Sequence, residues 1–174
     1  MNPIEVIKDV FQPFLDGEKR PVHVGEVMNL WLYLNGAEQF LREEQTAFNV
    51  VQDEELRKKL DDLINNVHKP MIKELKDFLT NEGIPLPDNF RNIGKGEFQT
   101  VPEGAKLSDN EIANLIFNNI NMGITYAARG LTESVRADVS YLFSKFQMMK
   151  VTFALTLKPI MEEKGWLRVP PYYR

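Results

Sequence analysis

The chain has 174 residues, 43% of them hydrophobic and 26% charged, which is enough to bury the core of one globular domain. Its formal net charge of -4, with Lys and Arg interspersed among Asp and Glu, offers no basic stripe to capture nucleic acid or an anionic membrane surface. It contains no cysteine, so disulfides, thiolate zinc sites, iron–sulfur clusters and thiol nucleophiles are excluded, while the redox compartment stays open.

The first residues, Met1-Asn2-Pro3-Ile4-Glu5-Val6, carry neither a basic nor an apolar targeting segment. No later run approaches the roughly 18 apolar residues of a membrane span, so a soluble, cytoplasmic protein is expected. Pro3 followed by Ile4, Ile7, Val10 and Phe11 predicts a short helix over 3–12, stopped near Pro13 and the Asp16-Gly17 turn and placed as a lid on one end of the fold. From 22 to 51, Val27, Leu30, Leu34, Ala37, Leu41, Glu44, Phe48 and Val51 recur in steps of three and four, one stripe along a long helix A.

Asp53 is the expected N-cap of helix B (54–82), with Glu54 and Glu55 facing the positive end of its dipole and Gly83 as its left-handed stop. Pro70 predicts a bend or local opening over Asn66 to Pro70. The stretch from Gly83 to Leu107 is rich in Gly and Pro. Ser108 and Glu111 have the spacing of a capping box that opens helix C (109–129), with Gly130 as its stop and Thr132 as the cap of helix D (132–164), which Gly165 ends. Methionines within the helices read as adaptable core filling.

A long structureless stretch between two helical hairpins fits one all-α plan, a ferritin-like four-helix bundle in which B and C run parallel and are joined by the crossover 83–107. One domain over 1–174 is therefore expected. The hairpins end alike, Gly83-Ile84-Pro85 against Gly165-Trp166 with Pro170-Pro171, and Lys69-Pro70 echoes Lys158-Pro159. A hairpin duplication explains this, and so does the common grammar of helix stops.

The ordered set Ile84-Pro85-Leu86-Pro87, Val101-Pro102-Glu103-Gly104-Ala105, Ser134-Val135-Arg136-Ala137-Asp138, Phe143-Ser144-Lys145-Phe146 and Gly165-Trp166-Leu167, with His23-Val24-Gly25-Glu26 in the first helix, resembles domain of unknown function 3231 along nearly the whole chain. The resemblance implies a ferritin-like bundle from spore-forming Bacillus-type bacteria. Some family members are labelled candidate spore coat proteins, related to the coat F group, and no activity comes with the label. Many members hold two copies of the domain and this chain one, so self-association would substitute for the second. Ala137 stands where the family pattern leads one to expect an acidic residue, which weakens the case for charged chemistry there.

A di-iron centre needs Glu-x-x-His on two helices. The two histidines, His23 and His68, are preceded at that spacing by Arg20 and Asn65, so a standard di-iron oxidase is not expected. Counting along antiparallel A and B and parallel B and C places Glu38, His68, Asn119, Arg136 and Asp138 in one mid-bundle polar layer. Three readings compete for it: satisfied buried polar groups, a solvated arrangement, or a mononuclear metal site in which Glu38, His68 and Asp138 are the candidate ligands. His23 and Glu26, three apart near the start of helix A, suit metal ligation, though such a pair at a helix end is more often a hydrogen-bonded or solvated couple. No nucleophile elbow and no glycine-rich phosphate loop occurs. Trp166, Tyr172 and Tyr173 form an aromatic tail suited to a dimer seam or to folding back in cis. The expectation is thus a structural or interaction protein, not an enzyme, associated with the spore coat. It needs no cofactor and pairs with a second copy or with other coat proteins. A metal- or small-molecule-binding bundle is the competing class.

Overall fold

The computed structural model describes residues 2–15, 19–88 and 93–173. Among them every regular element is helical: α1 (Pro3–Leu15), α2 (Val24–Phe48), α3 (Glu54–Asp62), a π-helical turn (Leu63–His68), α4 (Lys69–Asn81), α5 (Asp109–Glu133) and α6 (Ala137–Glu163), with two short 3-10 turns (Phe98–Thr100 and Glu103–Ala105) in the crossover. The segment α3–π–α4 is one rod and forms a four-helix bundle with α2, α5 and α6.

Local chemistry starts α3 and α5 where the sequence predicts a cap. The Asp53 carboxylate accepts from Glu55 N–H and Leu56 N–H at 3.0 and 2.9 Å. Ser108 and Glu111 form the expected capping box at the head of α5. His23 and Glu26 form another, with a ring nitrogen in the hydroxyl's usual place, so the helix begins at Val24 and not at 22. At the far ends, Gly83 and Gly165 take φ of 70° and 68°. Each is followed by a residue whose N–H reaches back to the last turn, Ile84 to the Leu79 carbonyl and Trp166 to that of Met161.

The connections fix the topology. Asp109, at the head of α5, accepts from the N–H groups of Gln52 and Asp53 at 2.8 and 3.0 Å, so α5 starts beside α3 and runs parallel to it. The crossover therefore travels the length of α2, held by Trp31 Nε1 donating to the Pro85 carbonyl at one end and by Asn49 bonding Gly94 and Gly96 at the other. Reciprocally, Glu26 at the head of α2 accepts from Val135 N–H and Arg136 N–H, both at 2.8 Å, in the α5–α6 turn. Each hairpin turn is thus held by a carboxylate from the other hairpin.

Burial pushes the Glu26 carboxyl up, but hydrogen bonds from the backbone of Arg136, His23 and Val135 outweigh it and hold the group below its ordinary 4.5. A carboxyl whose folded value is depressed contributes stability above its unfolded value and loses it as pH falls through the folded one. Glu26→Gln is expected to cost about 2 kcal/mol at pH 7 in urea unfolding, a deficit that shrinks as pH drops below about 4.5.

Several boundaries differ from the expectation. α1 continues past Pro13 to Leu15, because a proline in a last turn forfeits only one backbone bond; the Asp16-Gly17 turn lies outside the described residues. It packs along α6, with Phe11 edge-on to Tyr141 at 5.9 Å, and is not an end lid. α2 stops at Phe48, and Val50 and Val51 continue its core line as buried non-helical chain. α5 runs through Gly130 to Glu133, and Thr132 lies within it and caps nothing. A Cβ at Gly130 would lie 2.4–2.5 Å from the Phe143 ring, so this glycine makes room for α6 and does not end a helix.

The core forms two apolar clusters. One gathers Leu30, Leu34, Leu75, Leu79, Phe143 and Phe146. The other gathers Val51, Leu56, Leu60, Ile116, Phe153 and Leu157. Buried polar residues lie between them.

Candidate functional site

The opening expected near Pro70 is the π turn. Lys69 N–H bonds the Ile64 carbonyl, five residues back. The wider turn relieves the crowding that the Pro70 ring would cause against the preceding turn, and such turns are concentrated at functional sites. It directs His68 into the bundle, where the ring is fully buried.

Two charged side chains meet His68 there. Glu44 of α2 and Lys150 of α6 are 0% and 1% exposed. His68 Nδ1 lies 2.6 Å from Glu44 Oε2, and His68 Nε2 lies 2.5 Å from Lys150 Nζ. With an ammonium on Lys150, one tautomer satisfies both contacts: Nδ1–H donates to the carboxylate and Nε2 accepts from the amine. Burial and Lys150 push the imidazole below its usual range against the pull of Glu44, so His68 is neutral near pH 7. Burial also lowers the Lys150 ammonium to about 8. Glu44 Oε1 has no hydrogen-bond partner among the described residues.

Gly123 of α5 makes the fourth wall. A Cβ there would lie 2.7–2.8 Å from Cδ, Cε and Nζ of Lys150, so a side chain at 123 would displace the lysine. The arrangement is an amine bonded to a base that an acid orients, placed where the hydrophobic core is interrupted.

Only His68 of the five residues expected in a mid-bundle layer occupies this one. Glu38 is buried and pairs instead with Lys76 of α4. Asn119 donates to Glu43 Oε2 at 2.9 Å. Arg136 and Asp138 lie at the α5–α6 turn, where Arg136 grips Glu82 with two bonds of 2.7 Å and Asp138 with bonds of 3.0 and 2.7 Å. Burial opposes the charge on Asp138, yet bonds from Arg136 and Lys19 hold its carboxyl below the ordinary range.

The displacement has two causes. Val50 and Val51 extend the α2 line before the chain turns, so α3 begins lower and His68 faces Glu44 in place of Glu38. Because α5 runs on to Glu133, the pivot of the second hairpin shifts toward Arg136, and Lys150 rather than Arg136 or Asp138 comes level with His68. The three candidate metal ligands Glu38, His68 and Asp138 accordingly do not converge. Among the described residues no group of three His, Asp or Glu side chains is placed to hold a metal ion.

Sequence reasoning missed Lys150, although Val139, Phe143, Phe146, Lys150, Phe153 and Leu157 step by three and four along one stripe. Glu44 likewise sits on the stripe of α2. A charge on an apolar stripe was the available signal. The tail divides: Trp166 packs on the lower cluster and its carbonyl accepts from Asn114, whereas Tyr172 and Tyr173 stand in solvent.

The model of a family described as protein of unknown function, DUF3231, matches residues 12–174. The chain belongs to the DUF3231 family. An uncharacterised Bacillus subtilis protein, YvdQ, is 26% identical over 156 residues, covering 90% of this chain and 91% of that one. A solved protein from Bacillus halodurans, described as a candidate spore coat protein, shares 28% identity with a TM-score of 0.85, covering 89% of this chain and 97% of its own. The fold also resembles, at a TM-score of 0.63 and 15% identity, part of a two-domain protein from Anabaena variabilis containing DJ-1/ThiJ/PfpI-like and ferritin-like domains; 86% of this chain matches 39% of that one. The DUF3231 chain is thus an all-α, ferritin-like bundle. No helix among its described residues is long and apolar enough to cross a membrane.

Proposed function

We propose that this DUF3231 protein is a structural or interaction component associated with the spore coat, and not an enzyme of the di-iron type. The observation that carries the reading is its likeness, over 97% of that chain, to the Bacillus halodurans protein described as a candidate coat protein. Two features agree with it. The bundle interior at the His68 level is filled by the chain's own side chains, as a structural part requires, and Tyr172 and Tyr173 are presented outward as adhesive groups. Their partner is a second copy of the chain or another coat protein.

The reading is tested by expressing the epitope-tagged chain in a sporulating Bacillus host and fractionating mature spores. Recovery in the coat extract is expected, with dimers in light scattering of the purified protein that Tyr172→Ala/Tyr173→Ala weakens at least tenfold. A chain confined to the spore interior or to vegetative cells overturns it.

A further inference from the structure

The line where α2 meets α5 holds a groove that the chain's own side chains leave unfilled. Its volume is about 380 Å³, and Leu32, Tyr33, Gly36, Tyr126 and Arg129 border it. A glycine inside a helix is destabilising relative to alanine, and Gly36 has no positive φ, while a Cβ there would meet nothing within 4 Å. Nothing in the chain's own packing requires the missing side chain. Met28 and Met122, one helical turn before Leu32 and Tyr126, prolong the apolar surface at the two ends, and all four side chains are 44–52% exposed.

The C-terminal tail has complementary properties. Val169, Pro170, Pro171, Tyr172 and Tyr173 are all exposed, so a single chain keeps its large rings in solvent. The two prolines fix their own φ and hold the residue before each of them extended, so little chain freedom is lost when the tail docks. Extended proline-bearing segments dock in aromatic-lined grooves. Here Tyr33 and Tyr126 supply flat walls, and Asn35 and Arg129 supply donors for phenol oxygens.

Charge selects a register. From residue 166 onward the chain carries Arg168 and Arg174 and no acid. With Tyr172 beside Gly36, Arg168 lies about 12 Å back along an extended chain, and Glu43 lies about 10 Å from Gly36 along α2. The Glu43 carboxylate accepts from the neutral amides of Gln39 and Asn119 at 3.1 and 2.9 Å. Glu133, beyond the other end of the groove, is already paired with Arg129 at 3.0 Å. A chain's own tail is poorly placed for this seat. Trp166 is tied to Asn114, about 18 Å along α5 from Tyr126, and six extended residues to Tyr172 span about 19 Å. In cis the tail is stretched to its limit at the near edge, with no slack to bury both rings.

We infer that the α2–α5 groove receives the C-terminal segment of a second copy of this chain. Two copies exchange tails, each seating Tyr172 and Tyr173 beside the other's Gly36 and Tyr126, so the contact closes at a two-fold dimer. The inference rests on the reading of these tyrosines as adhesive groups and adds where they land.

The test is photo-cross-linking of the full chain carrying Tyr173→p-benzoylphenylalanine, with heavy-isotope-labelled and unlabelled copies mixed and the products mapped by mass spectrometry. Cross-links are expected between a tail of one isotope and a peptide of the other that holds Leu32 to Gly36 or Tyr126 to Arg129. Gly36→Leu, which fills the groove, is expected to weaken the dimer at least tenfold in light scattering. Should that variant fail to fold, Tyr126→Ala, at a half-exposed position, provides the check with the same expected loss. Cross-links confined to copies of one isotope show a tail docked in cis and overturn the inference. Cross-links between copies at another surface, or a dimer unchanged by the folded groove variant, overturn it and leave the adhesive role of the tail standing. A chain that stays monomeric at its highest soluble concentration overturns both.

Discussion

Lys150→Met destabilises the protein by roughly 3 to 5 kcal/mol at pH 7, and adding Glu44→Gln restores most of the loss. Methionine matches the lysine stem in length, so packing is nearly retained and the cost is electrostatic. Without the ammonium, the Glu44 carboxylate is left fully buried beside a neutral imidazole, with Oε1 already unpartnered. Removing one member of a buried charge pair is far costlier than replacing both.

The pH dependence of the same variant separates this account from a packing effect. In the wild type the His68 value is depressed, so the unfolded chain takes up a proton near 6.5 that the native state refuses, and stability from this group falls as pH drops through 6.5. In Lys150→Met the repulsion from Lys150 is gone while burial still opposes the imidazolium and Glu44 still favours it, so the imidazole moves back up toward its unfolded value. The loss of stability as pH drops through about 6.5 is then smaller than in the wild type. Urea unfolding of wild type, both single variants and the double variant at pH 6, 7 and 8 reads the cycle and the slope. Single and double variants equally stable, with parallel pH slopes, would show that the three side chains are not coupled.

Why the fold was legible and this layer was not comes down to the range of the signals. Caps at Asp53 and Ser108, stops at Gly83 and Gly165 and the opening before Pro70 are set by bonds within a few residues, and the structure forms each of them. The parallel run of α3 and α5 followed from the length of the crossover alone. Which residues share a layer depends instead on the pivots of the two hairpins. A few residues of non-helical core at Val50 and Val51, or of extra helix beyond Gly130, move the opposing residue by about two turns on α2, from Glu38 to Glu44, and by more than three on α6, from Asp138 to Lys150. The wrong partners for His68 are therefore one error in register, not several errors in chemistry. Periodicity was the sounder guide, since Glu44 and Lys150 both fall on core stripes.

Gly130→Ala and Gly36→Ala, the same change in two long helices, are expected to have opposite signs. At Gly130 the new methyl would lie 2.4–2.5 Å from three carbons of the Phe143 ring. That ring is fully buried and has Tyr33 edge-on at 5.6 Å, so it has no free space to retreat into. Overpacking of this kind costs about 2 to 3 kcal/mol, which exceeds the gain of up to about 1 kcal/mol from exchanging glycine for alanine inside a helix. At Gly36 nothing stands within 4 Å, so the helical gain is realised and the melting temperature rises. Phe143→Leu in the Gly130→Ala background shortens the ring and recovers part of the loss. Had Gly130 been a helix stop without a packed neighbour, its replacement would be mild and insensitive to residue 143. Thermal melts of the three variants distinguish a glycine kept for the partner helix from one kept for its own chain.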